Sequence, residues 1–475
     1  MSIHYLPAIV LTITILILLS AIALTRKHST AYLICGGGLL ATMMTLFVQI
    51  GKPGAVSHLF LFDPITPFIS LILLIVVSML WVQLYQWLET LDERKEEYYL
   101  LMLLSTLGAL IMVAANHFAS FFLGLELMSL SFVGLVAYAG NDLKGQEAGV
   151  KYLILSAIAS ALILMGIAIL YLQFGTLSFN DLSTQTRVAT LPGWVTISAV
   201  IFILGGLFFK LSLVPCHLWV ADLFEGAPLP TAALLATLSK LSAFIILWRM
   251  FSAGHWTSYE AVVDIVATVA IASMLIGNFL GLLQNNLLRL LAYSSIAHFG
   301  YLLIILLLVD SPQTLFLTDT FATEATVFYL VAYLFTLTGV FSVLMQLPQI
   351  KTQQDLTGLF WRKPSIAITL ALLMLSLAGI PLTIGFMGKF YLVVTAVSHQ
   401  MWWLLSALVA GSVVGLFYYL RVIMMMIKSP EEEHELPTLT LTINGQLLNA
   451  LIIFLVIGFG TFPGAFSSLI EQLSR

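Results

Sequence analysis

The chain has 475 residues, 60% of them hydrophobic and only 9% charged. No soluble domain can cover that much apolar surface, so the composition excludes a water-soluble globule and predicts an all-α polytopic membrane protein. A formal net charge of −4 selects no partner; in such a chain the position of each charge matters more than the sum.

Runs of about 20 apolar residues predict about fourteen spans, centred near residues 15, 41, 77, 107, 128, 162, 203, 241, 271, 298, 335, 380, 414 and 454. The first run, Tyr5 to Leu24, is too long for a signal-peptide core and lacks a basic leader, so it reads as a retained span. A tight turn around Asn116 and His117 separates the fourth and fifth spans. The polar gaps at 174–192 and 351–364 are too short to fold as domains. Cys35 and Cys216 stand far apart with no cluster of thiolates or histidines around them. They read as plain buried thiols, and no zinc or iron–sulfur centre is expected on this chain.

Basic residues orient a polytopic chain, the excess facing the cytoplasm. Loops after odd-numbered spans hold Arg26, Lys27, Arg94, Lys95, Lys144, Lys351, Arg362, Lys363 and Lys428, with Arg289 at a helix start. The opposite side holds Lys52, Arg187, Arg249 and Arg475. Both termini are therefore expected on the outer, periplasmic side. The acidic clusters Glu93–Glu97 and Glu431–Glu435 read as solvated inner loops.

Two stretches break the helical pattern around a buried charge. In Leu204–Trp219 the run LGGLFFKLSLVPCHLW carries Lys210 before Pro215, and in Ser376–Leu392 the run SLAGIPLTIGFMGKFYL carries Gly379 and Pro381 before Lys389. A lysine inside a membrane helix costs about 2.5–3.5 kcal/mol on insertion scales, which marks it as a candidate functional group. Proline removes a backbone donor and breaks the helix. Freed backbone is tolerated only inside protein or beside a water-filled cavity. The breaks divide the chain into helices 1–3 (1–98), two five-span blocks (99–255 and 256–428) and helix 14 (429–475), with the broken span fourth in each block. An odd number of spans forces successive blocks to enter from opposite sides, which makes them inverted repeats of the kind found in secondary transporters.

Among 19 lysines and arginines, four lie inside or near the ends of spans: Lys151, Lys210, Lys240 and Lys389. Arg249 and Arg421 lie near helix ends, where they can snorkel to the interface. One acid, Glu126, and one histidine, His298, lie mid-span. Lysine changes its protonation readily on burial and arginine does not, and histidine titrates near pH ~6.5. The six groups can therefore form a proton relay. Each has a plain alternative: a structural ion pair for Glu126, snorkelling for Lys151, a hydrogen-bonded core histidine for His298. Lys210 and Lys389 resist that explanation most, because each coincides with a helix break.

Weaker features complete the inventory. The loop His217–Thr231 carries Asp222, a candidate cap for the following half-helix, and His217, either a proton-uptake group or an interfacial one. Ser129, Ser131, Ser156, Ser160, Ser239, Ser294 and Ser295 are placed to hold waters between the charged groups or to pack helices. No phosphate-binding glycine loop, dinucleotide fingerprint or basic-aromatic surface occurs.

Taken together, the segments around Glu126 (FFLGLELMSL), Lys151 (GVKYLILSAIAS), Lys210 (FKLSLVPCHLW), Lys240 (GAPLPTAALLATLSK), His298 (LLRLLAYSSIAHFGYLL) and Lys389 (MLSLAGIPLTIGFMGKFYLV) resemble the antiporter-like membrane subunits of respiratory complex I. The resemblance runs over nearly the whole chain. Within that family the L type carries a long lateral helix after its last spans, whereas this sequence stops at Arg475 just beyond the span near 454, and the M type carries glutamate at the position of Lys389. The chain is most similar to the N type. Ala221 departs from the proline usual before Asp222. The resemblance implies fourteen spans in an inverted-repeat fold. It implies Glu126 and Lys210 as an ion pair whose opening shifts the proton affinity of the lysine, Lys151 as a supporting group, Lys240 as central relay, His298 as bridge and Lys389 as donor to the outer side. It also implies that FMN, iron–sulfur clusters and quinone belong to other subunits, with the A, J, K and M types as membrane neighbours. The alternatives are a subunit of a cation/proton antiporter or membrane-bound hydrogenase, and a purely structural membrane subunit.

Overall fold

A computed structural model describes residues 3–52, 54–91, 94–138, 143–185, 193–309, 319–347, 349–429 and 443–474. Glu93, Arg187, Glu431–Glu435 and Arg475 lie outside these described residues. The chain runs through α1 (Leu6–Thr25), α2 (His28–Phe47), a hairpin of β1 (Ala55–Val56) and β2 (Leu61–Phe62), α3 (Ile65–Glu89), α4 (Glu96–Val113), α5 (Phe118–Val136), α6 (Leu143–Phe174) and α7 (Phe179–Gln185). It continues through α8 (Gly193–Leu211), α9 (Leu218–Gly226), α10 (Leu229–Leu234), a π-helical turn (Leu235–Ser239), α11 (Lys240–Gly254), α12 (Glu260–Leu282) and α13 (Leu287–Leu306). The last elements are α14 (Asp319–Met345), α15 (Leu359–Arg362), α16 (Pro364–Ala378), α17 (Ile384–Ser398), α18 (Trp402–Ile427), α19 (Ile443–Thr461) and α20 (Pro463–Ser474).

Among the described residues, 13 helices are long and apolar enough to cross a membrane, α10 to α11 counting as one, and the halves α16 and α17 supply a fourteenth. The all-α polytopic reading therefore holds. The hairpin was not foreseen. It is antiparallel, with Ala55 opposite Phe62, and it hydrogen-bonds the turn between α4 and α5 through Leu61 N to Ala114 O and Asn116 N to Leu59 O. The gaps at 174–192 and 351–364 contain the short helices α7 and α15.

Helix contacts are set by small residues. A Cβ on Gly108 of α4 would lie 2.7 Å from Gly124 O of α5, and one on Gly277 of α12 would lie 2.9 Å from Ala297 N of α13. In both pairs, α4 with α5 and α12 with α13, the helices thus meet backbone to backbone, as small-residue contacts in a bilayer allow. Burial is graded. α14 is buried along its apolar length, with α10–α11 and α13 close behind, while α1, α12 and α18 leave apolar faces open. The elements that carry Lys240 and His298 are among the most buried, and the outward faces are those that lipid or a neighbouring chain can cover.

Both expected breaks are present. α8 stops at Leu211, Ser212 takes a left-handed conformation (φ 60°), Val214–Pro215 is a cis peptide, and α9 restarts at Leu218. α16 stops at Ala378, Gly379 (φ 81°) and Leu382 (φ 75°) turn the chain, and α17 restarts behind the Thr383 cap, which accepts from Phe386 N. The stretch from His217 was expected to be a loop, and nine of its residues instead form the half-helix α9. A third irregularity, the π turn, immediately precedes Lys240; such turns widen a helix by one residue and recur at functional sites.

Candidate functional site

Lys210 sits in the last turn of α8, 1% exposed. Its Nζ donates to Ser129 Oγ of α5 at 2.6 Å and to Ser156 Oγ of α6 at 2.7 Å. The ring faces of Tyr152 and Phe209 lie 5.6 and 5.9 Å from it. Glu126, half-buried on α5, accepts instead from Ser160 Oγ of α6. Among the described residues no ion pair within 4.0 Å joins Glu126 to Lys210, although the carboxylate is near enough to act on the ammonium electrostatically. The expected contact pair is open. Serines read as water holders are direct partners of both charges.

The reason is helical register. Glu126 and Ser129 are three residues apart on α5, Ser156 and Ser160 four apart on α6, so each pair shares one helix face one turn apart. The two faces meet around the end of α8. A hydroxyl both donates and accepts, so the three serines let the ammonium and the carboxylate each keep a partner without touching.

Lys240, also 1% exposed, opens α11 and donates from Nζ to Ser295 Oγ of α13 at 2.6 Å, with the Phe299 ring 5.4 Å away. No acid pairs with it among the described residues. One turn along α13, His298 (5% exposed) hydrogen-bonds through Nδ1 to Tyr329 OH at 2.7 Å and through Nε2 to Tyr419 OH at 3.3 Å. Tyr419 OH is also paired with Ser294 Oγ. Lys389, half-buried on α17, reaches back across the break to donate to Ala378 O, the end of α16, at 2.8 Å, and lies 5.6 Å from the Tyr301 ring. An ammonium at a helix C-terminus is favoured by the orphan carbonyls and the helix dipole. Gly379 serves this contact twice, through its left-handed backbone and because a Cβ there would fall 2.7 Å from Lys389 Cδ. Lys240 and Lys389 are both near enough to act electrostatically on His298.

Lys151 belongs elsewhere. Its side chain is 47% exposed and pairs with Glu147 at 2.7 Å and Asp222 at 3.3 Å, so it is not one of the buried groups. Asp222 caps no helix; with Glu225 it holds Arg289 Nη1 at 2.8 and 2.9 Å. His217 is 7% exposed, so it is not an exposed interfacial group. Arg249 does not snorkel: it is 9% exposed and paired with Asp63, beyond β2, at 3.0 Å.

Sequence reasoning missed the tyrosines Tyr329 and Tyr419 and the turn acid Asp63. It also missed Glu324, near the start of α14, which accepts from Tyr391 OH at 2.9 Å. An amphipathic ring in an apolar run carries no periodic signal that separates a buried hydroxyl from a lipid-facing one. Among the described residues no group of three or more His, Cys, Asp or Glu side chains could hold a metal.

Comparison with known proteins places the chain in a family. The family described as NADH:quinone oxidoreductase/Mrp antiporter, TM, matches residues 115–415. The NADH-quinone oxidoreductase subunit N of Shewanella woodyi is 53% identical over 475 residues, the whole of both chains. A chain of respiratory complex I from Thermus thermophilus, solved with bound aureothin, superposes with a TM-score of 0.84 at 26% identity, covering 98% of this chain and 99% of that one. A chain of the Mrp complex from Dietzia sp. DQ12-45-1b superposes at 0.84 and 18% identity, covering 100% and 97%. The latter likeness shows the shared fold alone.

Proposed function

Because this chain belongs to the NADH:quinone oxidoreductase/Mrp antiporter membrane family, on its subunit N branch, we propose that it carries protons across the bacterial membrane within a respiratory complex I. The path runs along Glu126, Lys210, Lys240, His298 and Lys389, driven by quinone reduction in other subunits. The observation that carries the reading is the seating of the three lysines. Lys210, Lys240 and Lys389 each rest on hydroxyl or carbonyl oxygens, and none touches a carboxylate among the described residues. A buried ammonium without a counter-ion is costly, so a lysine so placed can give up its proton at a modest energetic cost. A purely structural pair would be closed.

Lys151 supports the path from the surface, through Asp222. Residues 99–255 and 256–428 are the two inverted repeats, a reading supported by the matching breaks and by the backbone contacts of α4 with α5 and α12 with α13. Both termini face the periplasm, as the basic loops indicate. FMN, iron–sulfur clusters and quinone belong to partner subunits, and the membrane neighbours are the A, J, K and M types.

The test is proton pumping and quinone reduction in membranes carrying Lys210→Ala or Lys210→Arg. Both variants are expected to lose pumping, at least tenfold, because arginine keeps its charge but cannot release its proton. Parent-like pumping by both would make the buried charge architectural and end the relay reading.

A further inference from the structure

Lys210 has a carboxylate within electrostatic reach and does not take it. The ammonium lies instead between two hydroxyls from two helices, Ser129 on α5 at 2.6 Å and Ser156 on α6 at 2.7 Å. Both serines are buried, 2% and 5% exposed. The carboxylate is held separately by Ser160, one turn along α6 from Ser156. A serine inside a membrane helix ordinarily returns its hydroxyl to the carbonyl one turn back, as Ser131 does to Leu127 O at 2.7 Å. For Ser129 and Ser156 the short hydrogen bonds are those to Lys210, and the buried Tyr152 hydroxyl interacts with both serines. Hydroxyls from two helices converging on one nitrogen amount to a built seat.

We propose that Ser129 and Ser156 are positioning residues forming a hydroxyl seat for the Lys210 ammonium, so that the lysine alternates between this seat and an ion pair with Glu126. The register of both helices makes the exchange short. Glu126 is one turn from Ser129 on α5, and Ser160 is one turn from Ser156 on α6, so moving the flexible lysine tip by one helical turn carries it from the two seat hydroxyls to the carboxylate, where it displaces Ser160. Each state leaves its groups partnered: in one the lysine has two hydroxyls and the carboxylate has Ser160, in the other the charges have each other. That symmetry is what a reversible switch in a buried site requires, because a state with an unpartnered buried charge would be too costly to visit. The hydroxyl seat is also the state in which Lys210 is free of its counter-ion.

The inference rests on the proposed relay, and its test separates the two. In inverted membrane vesicles holding the whole complex, pumping and NADH:quinone reduction are compared for Ser129→Ala/Ser156→Ala, for each serine changed singly to Thr, and for each changed singly to Cys. Complex content is normalised by NADH oxidation with an artificial acceptor. We expect the double alanine variant to lose about five- to tenfold in coupled turnover at normal content. Single Thr variants, which keep the hydroxyl, should retain most of it, and Cys variants, which keep the volume with only weak hydrogen bonding, should not. In a Glu126→Gln background the double alanine change should add little, since there is no longer an ion pair to exchange with. Parent-like pumping by the double alanine variant, alongside collapse of Lys210→Ala, would overturn the seat and leave the relay standing. Recovery by Cys rather than Thr would show that the serines only fill space, and would equally overturn it. Parent-like pumping by Lys210→Ala would remove the relay itself.

Discussion

The two broken helices place a lysine at the same kind of point, the C-terminal end of a first half-helix, and build it differently. At the first break Lys210 belongs to the half that ends, α8, and its partners are side chains of two other helices. At the second, Lys389 belongs to the half that begins, α17, and its partner is the backbone carbonyl of Ala378. The first lysine can exchange hydroxyls for the nearby carboxylate. The second has no ion pair among the described residues and is held by a helix end that cannot leave. The same motif therefore makes a switchable seat in one block and a fixed one in the other, as expected if the first takes its direction from a neighbouring charge and the second hands protons onward.

The largest expected effect breaks the second seat. Lys389→Ala removes the relay group together with the ammonium that caps α16, so both pumping and complex content should fall, pumping at least tenfold. Lys389→Arg keeps a cation over Ala378 O and should restore content without pumping. Pumping per NADH in vesicles, normalised to assembled complex, separates the two losses; equal recovery of both by arginine would mean the second lysine is only a cap.

Next in size are the turns themselves. Gly379→Ala imposes a left-handed alanine, costing about 1–2 kcal/mol, and drives a methyl into Lys389 Cδ, 2.7 Å away. At the first break the left-handed residue is already a serine, Ser212, whose buried Oγ has no hydrogen-bond partner among the described residues. Ser212→Gly should relieve about 1 kcal/mol of that strain. The half-life of the complex in detergent on warming is the readout. It should shorten for the first variant and lengthen for the second, and a change of the same sign in both would contradict the backbone assignment of one turn.

Much of this was legible from sequence because the bilayer penalises charge and broken backbone alike. Lys210, Lys240, Lys389, Glu126 and His298 stand out in apolar runs, and Pro215, Gly379 and Pro381 mark the breaks; all are where the pattern put them, to within a few residues. What was not legible is partnership. Ser129 and Ser295 were visible as polar residues, but that each meets a lysine depends on how α5 and α13 are rotated, and rotation is set by contacts such as Gly108 on Gly124 that leave no mark in a hydropathy trace. Lys151 shows the opposite failure. The sequence counted it among the charges inside or near the ends of spans, at the start of the one centred near residue 162, yet α6 begins earlier, at Leu143, and its first turns lie beside the exposed acids Glu147 and Asp222.

The smallest expected effect concerns a feature of the first break that has no counterpart at the second among the described residues. Arg289, at the start of α13, holds both Asp222 and Glu225 of α9 through one nitrogen, and the same two acids hold Lys151 and Lys144 of α6. The half-helix below Lys210 is thus tied to the helix that carries Ser295 and His298, a direct ionic link between the two blocks. The pairs are partly exposed, so solvent screens them and each contributes no more than about 1 kcal/mol. Arg289→Ala should therefore leave the complex assembled and lower its thermal half-life slightly, with added salt shrinking the difference from the parent. Arg289→Lys keeps the charge on a compact, more strongly hydrated head, and should fall between the two. If Arg289→Ala instead abolished pumping at normal content, the link would be transmitting motion between the two blocks, and the breaks would be working as one device.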